Sequence, residues 1–365
     1  MTTAALIHPD EARHAKRVLI INVTRIGDTL LATPALRAIA KYFPNAAITC
    51  LGHPKRVEVL KNIPYLTKVG GITKNLAPFR GRLGSSHYDW AFVWGPDRAL
   101  YEYALRKATR VVGFQQNDVT LDARLFHPQP EPSQNSRHAV AWYLALPESI
   151  GIPNDGYALD YTIADDERLR AKQRIAADIG PERPLIGLQV ASFPTKAYRD
   201  WPIEHFVKLA KRIVNARPDA RFVLFGSADD RARAMQFAHE LPDRTCIYAG
   251  QLSLRETVAI MSEIDLYVGV DTGPTHLYGA LRKPMVAMYH PSLPSALYKP
   301  VDHPYLYVAD HPLAGPNASR DINMAELSVD VIWERVGAAL QGEPSRFPGM
   351  PIAGVESPDW PGDPR

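Results

Sequence analysis

The sequence is poor in the residues that build metal and disulfide sites. It holds two cysteines, Cys50 and Cys246, which lie far apart and belong to no C-x-x-C pair or Cys/His cluster. A zinc site and a disulfide framework are therefore disfavoured, and we predict no metal. The sequence also lacks any run of about 18 apolar residues, which argues against a membrane-spanning helix.

A net charge of one sign is nearly absent as well. The 42 Lys and Arg residues oppose 39 Asp and Glu residues, for a formal net charge of +3. A strongly basic nucleic-acid binder is not indicated, and we predict no nucleic-acid partner. Residues 1–16 carry Asp10, Glu11 and Arg13 where a secretory signal would have its apolar core. We interpret them as a flexible extension of a cytoplasmic protein.

Proline is the residue in excess, at 32 of 365, whereas the hydrophobic share of 46% is that of an ordinary globular protein. Six of the prolines fall within residues 342–365, which we predict to be an irregular tail. The length corresponds to roughly two domains. We found no internal repeat of the length that solenoids use.

Apolar runs alternate with helical patterns in both halves of the chain. Residues 17–23 form a continuous apolar run, typical of a buried strand in a parallel sheet. Residues 24–28 predict a turn, and helical spacing then runs up to Lys41, with Pro34 in the first turn of that helix. The pattern restarts with a strand at Leu185. We predict an α/β fold with two Rossmann-like domains facing a cleft. The predicted segments are 17–163 for the first domain, 164–183 for a linker and helix, and 184–341 for the second.

The charge is divided unevenly between these halves. Residues 1–163 hold 19 basic and 13 acidic residues, and residues 164–365 hold 23 and 26. Within residues 55–82, Glu58 alone opposes seven cations. One interpretation is a solvated loop, and the other is a patch that attracts an anionic ligand or membrane surface. The seven cations are Lys55, Arg56, Lys61, Lys68, Lys74, Arg80 and Arg82.

A short polar motif follows the first predicted strand. Gly27 permits a tight turn or the close approach of a ligand, and Asp28 lies near a predicted helix start. Asp28 is either a helix cap or a general base aimed into the cleft. A G-x-G-x-x-G dinucleotide fingerprint is absent here, which weakens a dehydrogenase hypothesis.

Two further segments follow strands of the second half. Asp271, Thr272, Gly273 and His276 belong to a strand-to-helix motif, where free N–H groups suit a phosphate and a plain helix cap is the alternative. Residues 191–202 supply hydroxyls and cations that would face a pyrophosphate or simply be solvated. Among them, Ser192, Lys196 and Arg199 are the candidates for donor contacts.

Taken together, these motifs resemble glycosyltransferase family 9, the ADP-heptose:lipopolysaccharide heptosyltransferases. The similarity rests on IGDTLLATPALRAI, on RDWP, on GQLSLRETVAIMSEIDLYVGVDTGPTH and on KPMVAMYHPS, which occur in this order. It covers most of residues 17–295. The resemblance implies a GT-B fold and inverting transfer without a metal ion. It implies ADP-heptose as donor substrate, with no further cofactor.

The resemblance also implies roles for particular residues. Asp28 matches the base that deprotonates the acceptor hydroxyl. Gly27 and the segment 271–276 match donor-site positions, and either Lys196 or Arg199 matches a lysine that contacts the donor phosphates. Ser192 matches a hydroxyl contact to phosphate, and Asp229 lies near an acidic residue that contacts the ribose.

The implied acceptor is the anionic lipopolysaccharide inner core, which favours the interpretation of the basic stretch as a patch that attracts an anionic ligand. Lys55, Arg56, Lys61 and Lys68 would steer that acceptor, and the enzyme would be cytoplasmic and peripheral to the inner membrane. The sequence departs from the family at His290-Pro291-Ser292, which leaves the sugar specificity open. Alternatives are a family member with another nucleotide sugar or another glycan or protein acceptor, and an inactive nucleotide-binding homologue.

Overall fold

The chain folds into two α/β units in the computed structural model. The structure describes residues 6–80, 87–133, 137–315 and 318–352. The two units divide between Thr162 and Ile163. Within the described residues, each unit contains one sheet whose strands all run parallel.

The first unit alternates strands and helices from its first described residues onward. Its strands are β1 (Arg17–Asn22), β2 (Ala47–Gly52), β3 (Lys68–Gly71), β4 (Tyr88–Trp94) and β5 (Ala108–Gly113). Its helices are α1 (Pro9–His14), α2 (Ile26–Leu31), α3 (Thr33–Tyr42), α4 (Ala77–Arg80), α5 (Arg98–Lys107), α6 (Val119–Asp122) and α7 (Ala139–Glu148).

The strand order in the first sheet is β3-β2-β1-β4-β5. The chain builds outward from β1 to β3 and then returns to add β4 on the other side of β1. The apolar residues of β1 are fully buried because helices cover both faces of a parallel sheet. The strand order therefore reverses beside β1, at the topological switch point of the sheet. We call this place the growth-reversal point, and the loop after β1 lies there.

The structure confirms a helix that leads to Lys41 with Pro34 in its first turn, but the turn predicted at residues 24–28 is wrong from Ile26 onward, because a separate short helix begins there. α2 ends at Leu31 and α3 begins at Thr33, with Pro34 in its first turn. Because a proline has no N–H to donate to the carbonyl four residues earlier and fits best in the first turn of a helix, a new helix begins here. The Thr33 hydroxyl donates to the carbonyl of Leu30 at 2.6 Å, which satisfies one of the carbonyls that the break leaves without a helical partner.

The flexible extension predicted for residues 1–16 is also wrong for its described part. Ile7 is buried, and its carbonyl accepts a hydrogen bond from the Tyr42 hydroxyl at 2.7 Å. Helix α1 follows, and Glu11 on it pairs with Arg110 of β5. Glu11, one of the charged residues that argued against a signal peptide, therefore helps to hold helix α1 on the first unit. Residues 1–5 lie outside the described residues.

The second unit begins with a long helix and repeats the strand–helix alternation. Its strands are β6 (Leu185–Gln189), β7 (Arg221–Phe225), β8 (Thr245–Ile247), β9 (Leu266–Val270), β10 (Met285–Tyr289) and β11 (Leu306–Asp310). Its helices are α8 (Asp165–Asp178), α9 (Ile203–Ala216), α10 (Arg231–Glu240), α11 (Leu254–Met261), α12 (Gly273–Gly279), α13 (Ser295–Tyr298) and α14 (Val329–Leu340).

The segment predicted as a linker packs within this second unit. On α8, Glu167 forms an ion pair with the buried Arg255 of α11, and Asp178 accepts a hydrogen bond from Tyr248 at 2.9 Å. The sheet order is β11-β10-β9-β6-β7-β8. Growth from β6 to β8 is followed by a return to β9, so the direction of growth reverses between β6 and β9.

The described part of the proline-rich tail is ordered against the edge strand β11. The Val308 N–H donates to the carbonyl of Phe347 at 3.0 Å, and Lys299 donates to the carbonyl of Met350 at 2.9 Å. Gly349 has a φ of +74°, and a Cβ there would lie 2.5 Å from Val308 Cγ1. The tail thus covers a strand edge that would otherwise expose its backbone donors. Residues 353–365 lie outside the described residues.

We expect removal of residues 343–365 to lower the melting temperature by about 5 °C, because it uncovers Lys299 and removes the half-buried Phe347 from the core. Differential scanning calorimetry measures the change. Removal of residues 353–365 alone is the matched comparison, because the difference between the two shortened proteins reports the contribution of residues 343–352. Equal melting temperatures for all three proteins would show that the tail contacts add nothing to stability.

Candidate functional site

The first candidate site lies at the carboxyl end of β1. Asp28 is half-buried in the first turn of α2, next to Gly27, and its Oδ2 accepts a hydrogen bond from the Thr24 hydroxyl at 3.3 Å. Thr24 precedes the helix, so the turn itself holds the carboxylate in place. This is the growth-reversal point of the first sheet, where ligands bind in open α/β folds.

One cation of the basic stretch contacts this turn directly. Arg56 follows β2, and its Nη1 donates to the Thr24 carbonyl at 3.1 Å. Partial burial, together with the charges of Arg56 and Lys55, holds the pKa of His53 below its usual value. Arg56 and Lys55 thus add positive charge near the strand end that holds Asp28, which suits an anionic ligand.

The other two predicted acceptor residues lie apart from this turn along the chain. Lys61 is exposed after the short 3-10 turn Val57–Leu60. Lys68 is the first residue of β3, at the opposite end of that strand from the edge that holds the Asp28 turn. The basic stretch is thus distributed over the unit, and Arg56 is placed next to the candidate base.

The second candidate site lies at the growth-reversal point between β6 and β9. Arg199 ends the 3-10 turn after β6, and its Nη1 lies 3.0 Å from the Asp271 carbonyl oxygen and 3.4 Å from Oδ2 of the same residue. The two side chains are 14% and 8% exposed. Burying a guanidinium and a carboxylate costs desolvation free energy, and their close contact holds the two side chains in fixed positions.

Lys196 and Ser192, from the same loop, are placed differently. Lys196 lies with its Nζ 5.9 Å from the centre of the Tyr198 ring. Ser192 uses its hydroxyl within the loop, 2.6 Å from Asp200 Oδ1 and 2.7 Å from the Lys196 carbonyl. Burial raises the pKa of Asp200 in spite of these hydrogen bonds. Ser192 therefore shapes the loop that presents Arg199.

The motif after β9 forms the first turn of α12. Thr272 is the N-cap, and its N–H donates to the Thr275 hydroxyl oxygen at 3.2 Å. Gly273 begins the helix, and Pro274 falls in its first turn. His276 is buried with its Nε2 3.3 Å from Asp271 Oδ1, although the two atoms are not aligned as a hydrogen bond.

Several buried polar atoms around this motif have no hydrogen-bond partner among the described residues. A buried polar atom without a partner costs about 1–3 kcal/mol, so such a group in a folded protein calls for a ligand or water. Here the unpartnered atoms share the ends of three adjacent strands and their loops. They are Gln189 Oε1, Arg199 Nε, Asp271 Oδ1, His276 Nδ1 and the Tyr289 hydroxyl.

Sequence reasoning missed Gln189 and Tyr289, and it also missed Asn22 at the end of β1. Gln189 and Asn22 are buried carboxamides that end otherwise apolar strands, each beside the growth-reversal point of its sheet. Asn22 Nδ2 is likewise without a partner among the described residues. A polar residue that closes an apolar run was the available signal.

His290 closes the second site on the side of β10. Its ring packs edge-on against Tyr198 at 4.9 Å, and its Nδ1 lies 2.9 Å from the Ser292 hydroxyl oxygen. Burial lowers the pKa of His290, and the charge of Arg199 lowers it further. Asp229, by contrast, is exposed in the 3-10 turn Ala228–Asp230 after β7, on the same edge of the sheet.

In residues 6–80, 87–133, 137–315 and 318–352, no group of three or more His, Cys, Asp or Glu side chains is arranged to hold a metal ion. The helices described there include none with the length and apolar character that a bilayer crossing requires.

The two Rossmann-like units define the GT-B class of glycosyltransferase fold. The crystal structure of a family 9 glycosyl transferase from Veillonella parvula superposes with a TM-score of 0.75, at 20% identity, over 90% of this chain and 98% of that one. ADP-heptose lps heptosyltransferase II from Escherichia coli superposes with a TM-score of 0.72, at 19% identity, over 89% and 99%. These similarities establish the fold.

The model of the family described as glycosyltransferase family 9 (heptosyltransferase) matches residues 100–320. Lipooligosaccharide heptosyltransferase 2 of Haemophilus ducreyi is 34% identical over 76% of this chain and 84% of its own length. Lipopolysaccharide heptosyltransferase 2 of Salmonella typhimurium is 25% identical over 76% and 84%. The chain belongs to glycosyltransferase family 9 and is a glycosyltransferase, which confirms the resemblance seen in the sequence motifs.

Proposed function

We propose that this enzyme transfers heptose from ADP-heptose to the inner core of lipopolysaccharide. The observation that carries the proposal is the set of unpartnered buried polar atoms around Arg199 and Asp271, in a chain of the heptosyltransferase family. The relatives it matches act, by their names, on lipopolysaccharide or lipooligosaccharide. The phosphate oxygens and hydroxyls of a nucleotide sugar can serve as the hydrogen-bond partners that these atoms lack.

In this proposal Arg199, rather than Lys196, stabilises the departing ADP. Arg199 is fixed by its contacts with Asp271, so little reorganisation is needed when negative charge develops on the leaving phosphate. Its unpartnered Nε leaves a donor for a phosphate oxygen. Asp271 orients this guanidinium and lies beside His276, while Thr272 and Gly273 hold the turn next to them. Asp229 stays the candidate for the ribose contact.

Asp28 is proposed as the general base of a single displacement. Its carboxylate takes the proton of the acceptor hydroxyl, the hydroxyl oxygen attacks the anomeric carbon, and the bond to ADP breaks with inversion. The hydrogen bond from Thr24 holds the carboxylate in one orientation. With Arg199 to neutralise the leaving group, the proposed reaction uses no metal ion.

Arg56 and Lys55 are proposed to attract the anionic acceptor toward Asp28, with Lys61 and Lys68 adding to the long-range field. An acceptor built on a lipid would place the enzyme at the cytoplasmic face of the inner membrane. His290 packs against Tyr198 and lies near Arg199, so the loop His290-Pro291-Ser292 is the proposed determinant of sugar specificity.

The proposal predicts turnover of ADP-heptose with an acceptor that carries Kdo sugars on lipid A. Purified enzyme is incubated with that acceptor and a panel of ADP, UDP and GDP sugars, and the products are identified by mass spectrometry. We expect a heptose adduct from ADP-heptose. Transfer from another donor alone would overturn the donor assignment, and the absence of transfer from every donor would favour an inactive homologue.

Replacement of Asp28 by asparagine removes the base and keeps the shape of the side chain. We expect kcat to fall about 100-fold or more, because general-base catalysis contributes at least that much, while the KM for the donor stays the same. Initial rates at varied donor concentration measure both constants. Glu58→Gln is the matched carboxylate control and keeps the wild-type kcat. A wild-type kcat for Asp28→Asn would exclude Asp28 as the base.

Substitution of the two cations distinguishes their roles. We expect Arg199→Ala to lower kcat/KM for the donor at least about ten-fold, since a charge-assisted contact to phosphate is lost and Asp271 is left buried without its partner. Lys196→Ala is the matched control and changes kcat/KM less than about two-fold. The reverse order of the two effects would assign the phosphate contact to Lys196.

A further inference from the structure

A short surface helix follows the edge strand β3 and is firmly attached to the first unit. The Thr73 carbonyl accepts hydrogen bonds from the N–H groups of Leu76 and Ala77, at 3.0 and 2.9 Å. Ile72 and Ala77 are fully buried in the core of the unit. These anchors fix which side of helix α4 faces the protein and which side faces outward.

Two large apolar side chains are exposed here, Leu76 in the turn just before α4 and Phe79 within the helix. Leu76 is 44% exposed and Phe79 is 70% exposed, and a spacing of three residues puts them on the same side of a helical turn. A single exposed apolar residue is ordinary, but a neighbouring pair with an aromatic ring on a rigid turn is typical of a contact surface. We call Leu76 and Phe79 the apolar pair.

Cations flank the apolar pair, and acidic residues are missing from this part of the sequence. Lys74 and Arg80 are both exposed and bracket the pair along the chain. Residues 59–88 contain five Lys or Arg residues and no Asp or Glu. Of these five, Arg82 lies outside the described residues. An apolar pair within a basic surface complements a layer that is negative outside and apolar beneath.

The position of α4 relates it to the candidate base. Strands β1, β2 and β3 are adjacent and parallel, so the segments that follow them leave from the same edge of the sheet. Those segments are the Asp28 turn, the Arg56 segment and α4. A surface that bound at α4 would therefore lie at the edge where the acceptor is proposed to be deprotonated.

We propose that Leu76 and Phe79 insert into the interfacial region of an anionic lipid bilayer while Lys74 and Arg80 contact its headgroup phosphates. Aromatic and aliphatic side chains gain free energy by leaving water for this region, and long basic side chains reach the headgroups around them. The inference rests on the proposed function, because a lipid-linked acceptor gives membrane binding its purpose.

The test measures binding of the full chain to vesicles by co-sedimentation. Vesicles of phosphatidylcholine alone are compared with vesicles in which about a third of the lipid is phosphatidylglycerol. We expect binding to the anionic vesicles, weak binding to the neutral ones, and a loss of binding in high salt. The variant Leu76→Ser/Phe79→Ser should bind the anionic vesicles at least about ten-fold more weakly.

Leu169→Ser is the matched control, because Leu169 is 57% exposed on α8 of the other unit, and it should bind as the unchanged protein does. Circular dichroism and melting temperatures check that each variant is folded. Undiminished binding by the double variant, or equal binding to neutral and anionic vesicles, would overturn the proposal. No vesicle binding by the unchanged chain would overturn it too, and would favour a protein as the partner of this surface.

A transfer assay separates this inference from the proposed function. The double variant should keep its activity on a water-soluble, delipidated acceptor and lose at least about ten-fold in rate on an acceptor embedded in vesicles. Equal loss on both acceptors would overturn the membrane role. If the unchanged enzyme uses neither acceptor, the proposed function fails, while vesicle binding still decides the inference about α4.

Discussion

Parallel strand pairing is the constraint on which the rest of this structure depends. Every strand that the structure describes runs parallel to its neighbours. Each connection must therefore return from the carboxyl end of one strand to the amino end of the next, and within each sheet all the loops that follow strands lie at the carboxyl edge. In each unit the chain grows outward and then returns beside its starting strand. That return leaves a gap between neighbouring loops, next to β1 in one unit and between β6 and β9 in the other. Both candidate sites occupy such a gap.

The second unit shows what the gap allows. Arg199 comes from the loop after β6 and Asp271 from the loop after β9, and the two meet as a buried pair because their strands are adjacent. Gln189, His276 and Tyr289 bring further buried polar atoms that lack partners among the described residues. A fold that leaves such atoms unsatisfied accepts a stability cost. In the proposed function, the phosphate oxygens and hydroxyls of a nucleotide sugar would offset that cost on binding. In the proposed function, catalysis depends on a positive charge, that of Arg199, that is already fixed in place before the reaction begins.

The sequence predicted most strands because a strand buried on both faces requires an uninterrupted apolar run. The run predicted at residues 17–23 became β1 (Arg17–Asn22), and the strand predicted to begin at Leu185 became β6 (Leu185–Gln189). It did not predict β3 or β11: β3 has four residues, two of them glycine, and β11 follows an irregular stretch. The packing of residues 6–16 was also missed, because it depends on contacts with distant residues such as Ile150 and Arg110. The separate helix α2 was missed too, because the residues before the helix that contains Pro34 were interpreted as a turn.

The sequence by itself determined the fold class, the family and the candidate residues, because these follow from local patterns and ordered motifs. Only the tertiary structure distinguished Arg199 from Lys196, since both lie in one loop and differ in whether Asp271 of a neighbouring strand is within reach. It likewise separated Arg56 from Lys68, which the charge count had treated as equivalent, and set Phe79 apart from the buried aromatics. The physical reason is the same in each case. A charge or an apolar ring acquires its role from what lies within a few ångströms, and those neighbours come from segments far away in the chain.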